Sequence, residues 1–158
     1  MPETVHAYTA RVTWTGNRGV GTTNRRAYSR DTETTFGAKP LIVGSSDPAF
    51  RGDAARWNPE ELLLMSLSQC HLLWYLDLAA RAGVVVVAYV DDPVGAMAED
   101  PDGSGRFTAV TLRPAVTITD PAKRDIAAAL HTEAHTMCFI ARSVNFPVDT
   151  QPTITIAA

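Results

Sequence analysis

Asn58 to Gly83 reads NPEELLLMSLSQCHLLWYLDLAARAG, and each end of the stretch carries a helix signal. Asn58 is a good N-cap, Pro59 suits the first helical position, and Glu61 sits three residues after the cap, where it can fold back on the cap's N–H. Gly83 is a natural residue for the turn after the last helical position. Between them the body is Leu-rich and nearly free of charge until Asp77. A helix that is apolar nearly all round belongs inside a core or a subunit interface. Glu61 therefore has a structural task, and its neighbour Glu60 is left without one.

The segments around this helix read mostly as strands. Val5 to Thr15 (VHAYTARVTWT) alternates apolar and polar over half its length and runs into Gly16-Asn17-Arg18-Gly19, a turn. AYSRDTETTF and LIV, separated by Gly37-Ala38-Lys39-Pro40, complete a small meander. A long loop, GSSDPAFRGDAARW, fills Gly44 to Trp57, a length that in a compact domain is usually functional or mobile. After Gly83, VVVVAYV predicts a buried strand, DDPVGAM a bend and EDPDGSG a hairpin-like turn. RFTAVTLRPAVTIT follows as a long edge or bent strand containing Pro114. Thr119 or Asp120 with Pro121 opens a second helix to about Asn145, and VDTQPTITIAA closes the chain as a strand. This order predicts a single α+β domain over residues 1–158.

Composition narrows the function. The chain has 158 residues, 14 Lys and Arg against 17 Asp and Glu, a formal charge of −3, and is 46% hydrophobic. A general nucleic-acid binder needs a basic excess, which is lacking. The longest strictly apolar run, Val84 to Val90, is far short of the roughly 18 residues of a membrane span. The opening residues carry no signal-peptide pattern, so a cytoplasmic location and no membrane partner are expected. Two cysteines 68 positions apart make neither a disulfide scaffold nor a zinc ribbon.

Those cysteines are the candidate chemistry. Buried free cysteine is common, but Cys70 is flanked by Gln69 and His71 inside an otherwise apolar helix. His131, His135, Cys138 and Arg142 fall on one stripe of the second predicted helix, so both thiols are expected mid-helix. A catalytic thiol acts as thiolate, which an apolar setting disfavours unless a cation or hydrogen-bond donor lies beside it. Arg18, in the turn after the first strand, and Arg51, in the long loop, are the candidate cations; Arg25, Arg26, Arg30 and Arg56 read as solvated surface charges. A metal site built from His131, His135, Cys138 and Cys70 or His71 is a weaker rival, because HTEAH is not the HExxH order of a zincin.

NPEELLLMSLSQC followed 68 residues later by AHTMC resembles the OsmC/Ohr family of thiol-dependent peroxidases. YTARVTWTGNRG is similar to that family's opening strand and turn, and GSSDPAFRGD to the loop of its OsmC-like branch. The resemblance implies an OsmC-like fold, a β-meander plus two long cysteine-bearing helices, in an intertwined homodimer. It implies reduction of organic hydroperoxides: Cys70 becomes a sulfenic acid, Cys138 condenses with it to a disulfide, and an external dithiol, of lipoyl type for example, resets the pair without a bound cofactor or metal. It places the helper carboxylate on Glu60 and the activating guanidinium on Arg51, as in the OsmC-like branch, or on Arg18, as in the Ohr-like branch. Phe139 stands where many relatives carry proline and His71 where many carry an aromatic residue. Phe139 keeps open a non-catalytic protein of the same fold that binds a ligand or senses oxidation.

Two further expectations concern geometry. Glu60 and Cys70 are ten positions apart on one helix, a rise of about 15 Å, so a shared reaction centre requires Glu60 to reach the Cys70 of a second subunit. Leu64, Leu67, Trp74, Met137 and Phe139 are the candidate walls for an alkyl tail.

Overall fold

The computed structural model describes residues 4–158. Its contacts divide the chain into two compact units, Met1–Leu62 and Leu63–Ala158.

The N-terminal unit is the expected antiparallel meander: β1 (Arg11–Trp14), β2 (Thr32–Thr35) and β3 (Ile42–Gly44) pair in the order β1-β2-β3. β1 is shorter than the alternation from Val5 to Thr15 suggests, because β2 offers it partners only from Arg11 opposite Thr35 to Trp14 opposite Thr32. The excursion between β1 and β2 is tied at its base. Trp14 Nε1 donates to the Ser29 carbonyl at 2.9 Å, and the Ser29 N–H donates to the Gly16 carbonyl at 3.0 Å. A side chain on Gly16 would collide with that Ser29 carbonyl, so this close approach requires glycine. At its tip Asn17 Oδ1 accepts the N–H groups of Gly19 and Gly21. After β3, Asp47 caps a 3-10 turn, Pro48–Phe50, and Arg51 ends it with φ +69°.

Helix α1 (Pro59–Arg81) starts and stops as the sequence indicates. The Glu61 N–H donates to Asn58 Oδ1 at 2.8 Å and the Asn58 N–H donates to Glu61 Oε2 at 3.1 Å, a reciprocal capping box. At the far end Gly83 takes φ +68°, the Gly83 N–H reaches the Ala80 carbonyl and the Val84 N–H reaches the Ala79 carbonyl. These bonds form a Schellman closure, which glycine adopts without a Cβ penalty. By length and composition α1 passes the test for a membrane-crossing helix, a test that a core helix passes equally. Its buried side chains are Leu67, His71, Tyr75, Leu78 and Ala79, one stripe at helical spacing, whereas Met65, Leu73 and Leu76 are exposed.

In the C-terminal unit the strands are β4 (Val86–Asp91), β5 (Val94–Glu99), β6 (Gly105–Leu112), β7 (Pro114–Ile118), β8 (Val148–Thr150) and β9 (Thr153–Ile156). They form two three-stranded sheets, β4-β7-β9 and β5-β6-β8. Three prolines explain the division. Pro93 stands between β4 and β5, Pro114 opens β7, and Pro152 separates β8 from β9; each lacks an N–H for the ladder, so each long extended segment breaks there. DDPVGAM is therefore a strand junction rather than a plain bend. RFTAVTLRPAVTIT supplies the central strand of both sheets rather than an edge. VVVVAYV is an edge strand rather than a buried one, with Val85, Val87 and Val90 exposed.

Asp120 caps a 3-10 turn, Pro121–Lys123, before α2 (Arg124–Met137). Tyr75, Leu78, Val116, Ile118, Ala127, Leu130, Ala134 and Ile154 make one core cluster; Leu67, Val110, Leu112 and Val148 make a second. Ile140, Ala141, Val144 and Phe146 pack on the second cluster. That packing ends α2 at Met137 instead of Asn145 and turns the following residues into a 3-10 segment, Ala141–Ser143.

Candidate active site

Cys70 lies midway along α1 and lines a cavity of about 330 Å³. Leu73, Trp74, Asp77 and Arg81 continue the same stripe of the helix, and Phe139 adds a wall from the segment after α2. The lining is mainly apolar. Phe139 stands edge-on to Trp74 with ring centroids 5.6 Å apart. Arg81 is paired with Asp77 at 2.6 Å, so the guanidinium in this wall is already countered. Trp74 and Phe139 are walls as expected, whereas Leu64, Leu67 and Met137 are not among the lining; Leu67 is wholly buried in the second core cluster.

Cys138 is not mid-helix. It is the residue after α2, with φ −68° and ψ 110°, and its N–H reaches the His135 carbonyl at 3.3 Å. Its sulfur is buried and accepts the Ala141 N–H at 3.4 Å. Burial pushes the Cys138 thiol up to about 11, and the Cys70 thiol adds to the rise. Through Phe139, which lines the Cys70 cavity, the fold brings together two segments whose cysteines are 68 positions apart in sequence, and both are free thiols.

The polar stripe expected on the second helix breaks up where α2 ends. Arg142 falls in the 3-10 segment, and His131 is buried, with Nδ1 3.0 Å from His71 Nε2. The two imidazoles are parallel, and Tyr75 stacks on His131 from 4.0 Å while its hydroxyl donates to the Ala127 carbonyl. Desolvation lowers both histidines to about 4, partly offset at His71 by Asp91, so the rings are neutral. His71 Nδ1 and His131 Nε2 have no hydrogen-bond partner among the described residues. Each ring spends its other nitrogen on its neighbour, and no group of three or more His, Cys, Asp or Glu among the described residues is arranged to hold a metal ion. Asp91, which sequence reasoning missed, accepts from the Ser68 hydroxyl and from the Arg113 N–H. Nothing in DDPVGAM marks it, since its partners come from α1 and from the β6–β7 junction.

In the N-terminal unit Glu60 is half-buried in the first turn of α1, and its Oε2 is buried with no hydrogen-bond partner among the described residues. Glu61 is occupied by the capping box, as its spacing predicts. Arg18 and Arg51, alternatives in sequence, line one and the same cavity. Arg25, Arg26 and Arg30 line it too; Arg25 and Arg26 are exposed, as expected, and Arg30 is half-buried. Arg56 is part-buried between Asp31 and Asp53, with Nε 3.8 Å from each carboxylate.

A family model described as OsmC-like protein matches residues 52–153. An OsmC-like protein of unknown function from Vibrio cholerae is 31% identical, with a TM-score of 0.83, over 94% of this chain and all of its own. An organic hydroperoxide resistance protein from Elizabethkingia anophelis shares the fold at 13% identity and a TM-score of 0.66, over 99% of this chain and 100% of its own. One from Legionella pneumophila does so at 16% and 0.65, over 97% and 99%. Among curated proteins none matches the chain. The motif, the fold and the extent of these matches agree: the chain belongs to the family of OsmC-like proteins.

Proposed function

We propose that the protein is a thiol-dependent peroxidase that reduces organic hydroperoxides. The observation that carries this reading is the meeting of the two cysteine-bearing segments: Cys70 lines an apolar cavity walled by Phe139, the chain neighbour of the buried Cys138. Structural neighbours named as organic hydroperoxide resistance proteins support it.

The Cys70 thiolate attacks the distal peroxide oxygen. An S–O bond forms as the O–O bond breaks, and the alkoxide leaves and takes up a proton to become an alcohol. The resulting sulfenic acid condenses with the Cys138 thiol, forming the disulfide and releasing water. An external dithiol then returns two electrons and two protons. Arg51 or Arg18 stabilises the thiolate, and Glu60, whose carboxylate has an unclaimed oxygen, holds that guanidinium by a charge-assisted contact.

Ten helical positions separate Glu60 from Cys70, so the reading includes a homodimer in which each subunit's Glu60 serves the other's thiol. Exposed Val12, Trp14 and Trp57 on the N-terminal unit, and Leu73, Leu76 and Phe139 on the C-terminal unit, supply apolar surface for such an interface.

The test is consumption of cumene hydroperoxide and hydrogen peroxide with dihydrolipoamide or a small dithiol. The wild type turns over, with preference for the organic peroxide. Cys70→Ser abolishes the reaction, and Cys138→Ser allows at most the first stoichiometric step. Oxidation of both thiols without turnover would assign the protein instead to ligand binding or redox sensing, the reading that Phe139 keeps open.

A further inference from the structure

A second cavity, wholly within the N-terminal unit, is of a different chemical kind. It measures about 340 Å³, and Arg18, Arg25, Arg26, Arg30 and Arg51 line it, five of the chain's 14 basic residues. Activation of one thiol requires one guanidinium, so thiol chemistry does not account for five. Two carboxylates, Asp31 and Asp53, share the wall, and both are already engaged by a sixth guanidinium, that of Arg56. Like charges gathered in one concave site repel one another and focus a positive field that draws in an anion.

Local structure fixes several of these side chains in place. Arg51 is the one non-glycine residue among the described residues with positive φ; it is the left-handed C-cap of the 3-10 turn Pro48–Phe50, which fixes the backbone that carries its side chain. The Arg30 guanidinium lies 4.4 Å above the Tyr28 ring and donates to the Tyr28 carbonyl at 3.0 Å. Asn24 accepts the Arg26 N–H, which sets the turn that carries Arg25 and Arg26.

We infer that this cavity binds a compact polyanion of the diphosphate class. With Arg56 counted, six guanidiniums against two carboxylates leave an excess of four positive charges. A carboxylate supplies one negative charge and a phosphoryl group about 1.5 to 2, so two linked phosphoryl groups are the smallest common unit that matches. Guanidinium forks meet phosphoryl oxygens two at a time, which several arginines around one cavity can do together. The site shares Arg18 and Arg51 with the peroxidase reading but does not rest on it.

The test titrates inorganic diphosphate, and separately inorganic phosphate, into the full chain by calorimetry at low and at moderate salt. The expected result is one saturable site per chain, diphosphate binding at least tenfold more tightly than phosphate. An Arg25→Gln/Arg26→Gln double variant, altered at two exposed positions outside the thiol proposal, loses at least tenfold for diphosphate with an unchanged melting temperature. The control is Arg113→Gln/Arg142→Gln, which removes the same charge at two positions that do not line this cavity. Absence of saturable binding, equal affinity for the two anions, or equal losses in both double variants overturns the inference. Peroxide consumption by the same variants is a separate readout, and its outcome leaves the anion result standing.

Discussion

His71 Nε2 and His131 Nδ1 lie 3.0 Å apart, joining the middle of α1 to α2 through two buried, parallel imidazoles. One nitrogen donates and the other accepts, so both rings satisfy half their hydrogen-bonding capacity in this single contact. Removing one ring strands the other. His131→Leu or His71→Leu is expected to destabilise the fold by about 1–3 kcal/mol in urea unfolding, whereas the double Leu variant loses less than the sum of the two. Strict additivity would show that the contact contributes nothing.

The same pair sets a pH dependence. Desolvation holds both rings near 4 in the fold, against an ordinary value of about 6.5. The unfolded chain therefore takes up protons first on acidification. The stability that depends on neutral imidazoles is complete above about pH 6.5, declines as the pH falls from there to about 4, and levels off below. Melting temperatures measured from pH 7.5 to 4 are expected to fall more steeply for the wild type than for the double Leu variant. Parallel curves would mean that other groups carry the acid sensitivity.

Adjacent glutamates at the start of α1 separate stability from chemistry. Glu61 accepts the Asn58 N–H in the capping box, so Glu61→Ala is expected to cost about 1 kcal/mol, and Asn58→Ala about 0.5–2 kcal/mol, with little change in peroxide turnover. Glu60→Ala should do the reverse: a shift within about 0.5 kcal/mol, and turnover reduced at least tenfold. Mixing Glu60→Ala with Cys70→Ser subunits then recovers part of the activity; verified heterodimers with none would end the shared-site scheme.

What could be read beforehand was what local chemistry controls. The cap and the closing glycine of α1, the meander and the α+β order all follow from short patterns. The end of α2 was not legible, because the signal that stops it is packing of Ile140, Val144 and Phe146 on residues distant in sequence, with no glycine or proline to announce it. The same holds for His131: a histidine on a helix face reads as polar until the fold supplies His71 and Tyr75 as neighbours. Arg25, Arg26 and Arg30 looked like ordinary surface charges for a related reason. Convergence on a cavity is a property of the β1–β2 excursion, and composition is blind to it.

The two thiols should differ in reactivity. Burial and the neighbouring Cys70 thiol raise Cys138 to about 11, so at pH 8 only about one molecule in a thousand carries it as thiolate. Cys70 lines a cavity. Mass spectrometry of the reduced protein with iodoacetamide at pH 8 is expected to show Cys70 modified first, and Cys138 at least tenfold more slowly. In Cys70→Ser the Cys138 rate should still climb with pH above 8 and level off below pH 11, because burial remains while the contribution of the Cys70 thiol is gone. Equal rates at pH 8 would remove the distinction between an attacking and a resolving sulfur.

Arg51 allows a substitution that isolates its charge. Its φ of +69° lies in the left-handed region, where glycine sits without strain and alanine does not. Arg51→Gly should therefore melt no lower than the wild type, because relief of the backbone offsets the greater freedom of the unfolded chain, while Arg51→Ala keeps the strain. If this guanidinium stabilises the Cys70 thiolate, both variants lose peroxide turnover at least tenfold, and they do so to the same extent despite their different stabilities. Arg18→Gln, at an exposed position on the same cavity, is expected to lose less. The opposite ranking would transfer the role to Arg18, and full activity in all three would leave the thiolate without a counter-charge from this cavity.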